Sequence, residues 1–227
     1  MKNKLKSIYT IIEVWNLLLP ELRGELAACR ELLTADEQDR AAKFIKTEDG
    51  DRFILCRGLR RRILASYLDE APSALHFDHN ENGKPFLKGS EIRFNVSHSR
   101  DRLLIAVTAG RAVGVDIEFR RDGLPMESIA KRWFAPEERD FFQGLENPRD
   151  GFFDIWAQKE AFVKALGQGI FRELNSFCVP LDHTPGVPTI GTNGEWFFQP
   201  LEIDPAYAAA IVSEAPPVPV QLRKTLP

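Results

Sequence analysis

The chain has 227 residues, 44% of them hydrophobic and 28% charged, with a net charge of −3. That is the composition of a globular protein, long enough for one sizeable domain or two small ones. It gives no general positive field for nucleic acid or membrane, and holds no apolar run near the roughly 20 residues of a spanning helix.

The cysteines Cys29, Cys56 and Cys178 are odd in number and widely spaced. They suit reduced thiols better than a disulfide or zinc framework. Residues 1–6 are basic, but no clean signal-peptide core or small-residue cleavage site follows, so a cytoplasmic location is expected.

In chain order, residues 8–19 are rich in Ile, Val and Leu and predict a strand ending near Pro20. Residues 21–33 predict a short amphipathic helix. Thr34-Ala35-Asp36-Glu37 then fits a capping box, in which the hydroxyl and the carboxylate each satisfy a free backbone N–H. Residues 51–68 predict a strong helix. Phe53, Cys56, Leu59, Ile63 and Leu64 line one side, and Arg57, Arg60, Arg61 and Arg62 crowd the rest as a solvated face. Such local positive surface suits an anionic ligand or an acidic partner.

Asp78-His79-Asn80-Glu81-Asn82-Gly83 imitates the start of a calcium loop. Gly89 stands where the bidentate Glu is required, so the stretch reads as a polar turn into Lys84-Pro85. Residues 92–96 and 103–108 predict two strands joined by a polar turn over 97–102. Ser97 and His98 would sit in that turn, able to donate to phosphate oxygens.

Val113-Gly114-Val115-Asp116-Ile117-Glu118 follows and reads as a buried strand. Alternation puts Asp116 and Glu118 on one face. Two adjacent carboxylates repel unless a cation lies between them, and Mg2+ suits so small an acidic cluster; taken alone, the pair reads equally as a strand end whose acids face water. Residues 156–167 predict a helix stopped by Gly167, with Glu160 and Lys164 one turn apart on one face. Glu160 would add a third carboxylate and Lys164 a phosphate-binding cation. The plain alternative is an exposed ion pair contributing about 0.3–0.5 kcal/mol. From Pro216 onward the chain is proline-rich, and a loose or surface-draped tail is expected.

An internal repeat is also visible. Ala35-Asp36-Glu37-Gln38-Asp39 followed by Phe53-Ile54-Leu55-Cys56 resembles Ala135-Pro136-Glu137-Glu138-Arg139 followed by Phe153-Asp154-Ile155-Trp156, at an offset of 100. In that register Arg60 lies opposite Glu160 and Leu64 opposite Lys164. Two copies of one α+β unit are expected, only the second carrying the acidic site.

Four stretches, in order, resemble the signatures of the 4′-phosphopantetheinyl transferases. They are Asn82-Gly83-Lys84-Pro85, Phe94-Asn95-Val96-Ser97-His98-Ser99, Val113 to Glu118, and Trp156-x-x-Lys159-Glu160-Ala161-x-x-Lys164-x-x-Gly167-x-Gly169-Ile170. Ile170 stands where the family usually has Leu. With the repeat, the chain resembles the double-length, surfactin-synthetase type. The resemblance implies an α+β fold of two pseudo-symmetric halves, 1–112 and 113–227, with the active site in the cleft between them. It implies a cytoplasmic monomer that moves the 4′-phosphopantetheine group of coenzyme A to a serine of an apo carrier protein (acyl, polyketide or peptidyl) and releases adenosine 3′,5′-bisphosphate.

By the same resemblance, Asp116, Glu118 and Glu160 would hold Mg2+. Glu160 or Glu118 would take the serine proton, and Lys164 would hold phosphate oxygens. Gly83, Lys84, Pro85, Ser97 and His98 would meet the nucleotide end and its phosphates, with Asp116 and Lys164 also touching coenzyme A. Arg40 and Arg52 would hold the 3′-phosphate, beside Glu37 where the family often has Lys. A Mg2+-dependent nuclease and a non-catalytic carrier-binding module are the alternatives. Absence of a basic field weighs against the first, and the intact acidic and lysine positions weigh against the second.

Overall fold

The computed structural model describes residues 2–68, 70–167, 174–181, 186 and 195–227, with side chains from residue 5 onward. The motif residues Gly169 and Ile170 lie outside the described residues. Helix α1 (Lys2–Ser7) leads into strand β1 (Ile12–Leu18). The helix expected over 21–33 is instead a 3-10 turn, Leu19–Glu25, and then the short α2 (Leu26–Glu31). Pro20 opens that turn and Gly24, a poor helix former, lies within it.

Helix α3 (Ala35–Ala42) has the expected capping box. The Glu37 amide donates to Thr34 Oγ1 at 3.3 Å and the Thr34 amide to Glu37 Oε2 at 3.2 Å. Helix α4 (Thr47–Ala65) starts four residues before the expected start at 51. Its arginines are not a solvated face. Arg60 and Arg61 are buried, because Glu37 accepts from Arg61 at 3.0 Å and Arg60 at 3.4 Å, while the Leu75 carbonyl takes a further Arg61 bond at 2.8 Å. The Arg60 guanidinium also lies 3.9 Å from the centre of the Phe77 ring. Periodicity alone missed this, since buried arginines need a carboxylate brought in from another helix.

Strands β2 (Phe77–His79) and β3 (Pro85–Leu87) form a small hairpin. Gly83 sits in its turn with φ of 82°, a left-handed conformation that favours glycine. Strands β4 (Ile92–Ser99) and β5 (Arg102–Ala109) run longer than expected and leave only Arg100 and Asp101 as the turn. Ser97 and His98 are therefore strand residues on opposite faces of β4, not turn residues.

Strand β6 (Val113–Phe119) is followed by α5 (Met126–Trp133), α6 (Pro136–Gln143) and α7 (Pro148–Leu166), then by β7 (Trp196–Pro200), β8 (Tyr207–Glu214) and β9 (Val220–Arg223). The expected tail is thus partly a strand. Beyond Pro219 the chain can donate again, and β9 pairs in parallel with β1. Arg223 reaches Glu13 of β1, which is fully buried and also accepts from the Tyr67 hydroxyl.

The fold is α+β, and the repeat is legible in its topology. One sheet has the order β4-β5-β1-β9 and the other β7-β8-β6. Matching β1 to β6, β4 to β7 and β5 to β8 maps one order onto the other, with all pairings among these strands antiparallel. Helices α4 and α7 each span 19 residues. The helix starts, 35 and 136, then 47 and 148, lie 101 apart, as do the glycines Gly50 and Gly151. The register is therefore 101 rather than 100. Leu59 and Ile63, both buried, stand opposite Glu160 and Lys164.

The central strands β5 and β8 are buried on both faces. In β5, Leu103, Ile105 and Val107 face α4, whereas Leu104 and Ala106 pack with Val113, Val115 and Ile117 of β6 in a core between the sheets. In β8, Ala208, Ala210 and Val212 face α7 while Ala209 and Ile211 join that middle core. This explains their unbroken apolar runs.

Candidate active site

Strand β6 turns Val113, Val115 and Ile117 into the middle core, so Gly114, Asp116 and Glu118 face α7. Gly114 lets the helix come close. A Cβ there would lie 2.0 Å from the Ala161 carbonyl oxygen and 2.4 Å from the Ala165 nitrogen. Any side chain would push α7 away from the two acids.

The close approach puts Lys164 Nζ 2.5 Å from Asp116 Oδ1 and 3.0 Å from Ser97 Oγ. Ser97 donates to the same Asp116 oxygen at 2.7 Å. Lys164 therefore pairs with Asp116 on the neighbouring strand, not with Glu160 one turn back. Asp116 is buried, and its Oδ2 has no hydrogen-bond partner among the described residues.

Glu118 and Glu160 border this centre. Desolvation, and then the charge of Asp116, raise the pKa of each above the usual carboxylate range. Ser99 Oγ donates to Glu118 Oε2 at 3.3 Å and offsets part of that shift.

Among the described residues, no three His, Cys, Asp or Glu side chains converge as a ready-made ion cage. The donor set nonetheless fits a hard divalent cation. It has three carboxylates, one buried oxygen without a partner, and two acids whose charged forms are held at a cost.

The amino-terminal half builds one wall of the site. Asn95, Ser97 and Ser99 alternate along β4, and their oxygens accept from the backbone amides of Val115, Ile117 and Phe119 at 2.9, 3.4 and 3.0 Å. Side chains thus take the place of a backbone ladder where the two sheets meet, at the otherwise unpaired edge of β6. The spacing of Asn95, Ser97 and Ser99 was a legible signal, a polar alternation on a strand otherwise largely apolar.

On the other face of β4, His98 lines a cavity of about 490 Å3 with Arg40, Arg52, Arg57, Arg60 and Pro85. Desolvation first, then the cations Arg52 and Lys164, push its pKa below the usual histidine value, so the ring is neutral at pH 7. Arg40 and Arg57 lie over the Phe53 ring at 5.4 and 5.2 Å. Arg52 pairs with Asp49. Glu37 is committed to Arg60 and Arg61. Desolvation raises its pKa, but bonds from Arg61 and Thr34 and the nearby arginine charges outweigh that and the net shift is downward. The cavity is rich in arginine and has the Phe44 and Phe53 rings in its lining, a setting for a phosphorylated planar ligand.

The structure thus brings Arg40, Arg52, Pro85 and His98 together in one cavity and Ser97, Asp116 and Lys164 in the adjoining cluster. The Lys84 ammonium reaches neither. It donates to the carbonyls of Val113 and Ala165, both at 3.1 Å.

Sequence reasoning also passed over the role of Lys159. It is fully buried, 2.7 Å from the equally buried Glu138, and donates to the carbonyls of Leu174 at 2.6 Å and Phe177 at 2.8 Å. Glu138 in turn accepts from the amides of Ala135 and Val179. This strut fixes α7 against the segment after it. The three cysteines are free and buried, as expected. No described helix is long and apolar enough to cross a membrane.

The acidic cluster has a consequence for stability. At pH 7.5, Glu160→Gln is expected to melt about 2–4 °C above the parent in the absence of metal, because it removes a charge held against desolvation and Asp116. The sign follows from linkage. A carboxyl with a raised pKa in the fold contributes stability below its unfolded pKa and loses it as pH rises through the folded value. The gap should therefore close as pH falls toward the ordinary glutamate range, where Glu160 itself is protonated. Thermal melts at pH 5 and 7.5 check this. A lower melt for Glu160→Gln at pH 7.5 would mean the carboxylate makes a stabilising contact.

Known proteins resemble this sequence. The 4′-phosphopantetheinyl transferase superfamily matches residues 112–212, and the N-terminal region of 4′-phosphopantetheinyl transferase matches residues 20–110. The 4′-phosphopantetheinyl transferase HetI of Nostoc is 36% identical over 167 residues, covering 71% of this chain and 70% of its own length. The 4′-phosphopantetheinyl transferase psf-1 of Bacillus pumilus is 30% identical, covering 86% of this chain and 84% of its own. The 4′-phosphopantetheinyl transferase Sfp of Bacillus subtilis is 28% identical, covering 82% and 84%.

Proposed function

The chain belongs to the 4′-phosphopantetheinyl transferase superfamily, of the surfactin-synthetase type, and from that premise we propose how its residues divide the work. The enzyme transfers the 4′-phosphopantetheine group of coenzyme A to a serine of a carrier protein. The serine oxygen forms a new bond to the pantetheine-side phosphorus, the pyrophosphate P–O bond breaks, and adenosine 3′,5′-bisphosphate leaves.

The observation that carries the assignment of roles is the Lys164–Asp116–Ser97 cluster with its unpartnered Asp116 oxygen. Asp116, Glu118 and Glu160 would hold Mg2+. When bound, that ion supplies positive charge that neutralises the pyrophosphate oxygens. Lys164, released from Asp116 toward the phosphates, holds charge that builds on them in the transition state. Glu160 and Glu118 are the candidate acceptors of the serine proton. Their raised pKa values make them stronger bases than ordinary carboxylates.

Arg40, Arg52 and His98 supply donors and charge for the nucleotide 3′-phosphate, and Pro85 and the Phe53 face border the base. Gly83 forms the left-handed turn two residues before Pro85, which lines that cavity. The ammonium of Lys84, already engaged, takes no part in holding the nucleotide in this reading. The proposal further takes the protein to act as a cytoplasmic monomer, without nucleic acid or membrane, with the site between residues 1–112 and 113–227.

The test is incubation with coenzyme A, Mg2+ and an apo carrier protein, followed by intact mass. A carrier that gains one phosphopantetheine, and does so only with Mg2+, supports the reading. Transfer undiminished by thorough chelation would remove Mg2+ from it, and no mass gain on any of an acyl, a polyketide and a peptidyl carrier would remove the roles assigned above.

A further inference from the structure

The turn between β2 and β3 lies against the carboxyl end of α7. The last turn of a helix leaves carbonyls without intrahelical partners and carries partial negative charge. Here the missing donors come from a segment more than 80 residues away in sequence. Asn80 Nδ2 and Asn82 Nδ2 both donate to the Gly167 carbonyl, at 2.8 and 3.1 Å. Lys84 Nζ donates to the Ala165 carbonyl at 3.1 Å and, at the same distance, to the Val113 carbonyl where β6 begins.

The turn is built for this. Asn80 Oδ1 accepts from the amides of Asn82 and Lys84 at 3.0 and 2.8 Å, and Gly83 adopts φ of 82°. Gly167 is itself at φ of 68°, a left-handed conformation that favours glycine, and the turn packs closely against it. A Cβ there would come within 3.0 Å of Asn80 Nδ2 and 3.2 Å of Lys84 Cδ.

We propose that Lys84, with Asn80 and Asn82, is a positioning clamp that locks the end of α7 to the start of β6 and so places Lys164 beside the acidic cluster, within reach of the phosphates. Lys164 precedes Ala165 directly, and Asp116 lies three residues beyond Val113. One ammonium therefore joins the backbones that carry the two partners of the 2.5 Å contact. A cation at this place also complements the negative end of the helix dipole. Its desolvation, aided by Arg93, pushes the Lys84 pKa down to about 8, in keeping with a group engaged inside the protein rather than waiting in solvent. The clamp rests on the transfer reaction proposed above, since its readout is the chemical step.

The experiment compares Lys84→Met with the parent in three measurements: steady-state transfer to one apo carrier, binding of adenosine 3′,5′-bisphosphate, and amide hydrogen exchange. Methionine keeps the apolar stem and removes the ammonium. Expected are a fall in kcat on the order of 10- to 100-fold, a KM for coenzyme A and an affinity for the bisphosphate within about twofold of the parent, and exchange faster by about tenfold or more, confined to residues 163–167. Lys84→Arg, which restores a cation at the helix end, should recover part of kcat.

A rise in KM and a loss of bisphosphate affinity, with kcat and exchange unchanged, would make Lys84 a ligand contact and overturn the clamp. Unchanged values throughout would overturn it as well. If Lys84→Met does not fold, Asn82→Ala removes one donor to Gly167 and is read by the same split. A parent protein without transfer activity would fail the functional reading instead, while the exchange comparison still decides whether the clamp holds α7.

Discussion

Lys164→Ala is expected to lower kcat for transfer by a factor of about 100 or more. An exposed i,i+4 ion pair with Glu160 would make this lysine nearly dispensable, at about 0.3–0.5 kcal/mol. That pair is not the one formed. Lys164 Nζ lies 2.5 Å from buried Asp116 and 3.0 Å from Ser97, at the junction of β4, β6 and α7. A donor that meets charge only as it develops is worth about 3–4 kcal/mol, as for one member of an oxyanion hole.

The fold should also weaken, because Asp116 loses a countercharge while keeping the Ser97 hydrogen bond. The lysine side chain is 30% exposed, so water reaches the pair, and the cost should be on the order of 1–2 kcal/mol rather than the 3–5 kcal/mol of breaking a fully buried pair. Lys164→Arg should restore stability more than rate, because a broad planar fork does not replace a compact ammonium between two oxygens. The check is steady-state transfer to one carrier well below the melting transition, beside a thermal melt. A loss of kcat that merely tracks the unfolded fraction would return Lys164 to a structural role.

Asp116→Ala should remove transfer altogether, by about 1000-fold or more, with the fold retained. Two effects on stability oppose each other. Lys164 and Ser97 lose their shared acceptor, which destabilises. Glu118 and Glu160 lose the neighbouring negative charge that raises their pKa values, which stabilises. The net change in melting temperature should be small, while affinity for Mg2+ or Mn2+ measured by calorimetry collapses. Asp116→Asn keeps the shape and an acceptor for Ser97 yet lacks the charge, and it should be as inactive as the alanine variant. Activity near the parent's at ordinary Mg2+ would sink the assignment of Asp116 to the metal. An active asparagine variant would show that shape, not charge, is what the site needs.

The sequence by itself determined those features that depend on neighbours along the chain. Alternation in β6 put Asp116 and Glu118 on one face, Thr34 and Glu37 wrote the capping box, and the second copy of Ala35 to Cys56 announced the two-fold architecture. Such features follow from strand and helix periods and need no distant partner.

Tertiary structure alone decided what required a partner from far along the chain. Arg60 and Arg61 look like solvated charge until Glu37 arrives from α3. Ser97 and His98 look like turn residues until β6 presents amides that Ser97 and its polar neighbours accept from. The end of the chain looks loose until Glu13, buried in β1, requires the charge of Arg223. Lys164 offers the same lesson at the site. Its helix neighbour Glu160 is the partner that local spacing suggests, but Gly114 admits α7 so close to β6 that buried Asp116 takes the ammonium instead. Burial makes an unpaired charge costly, and only the packed chain determines which charges are buried together.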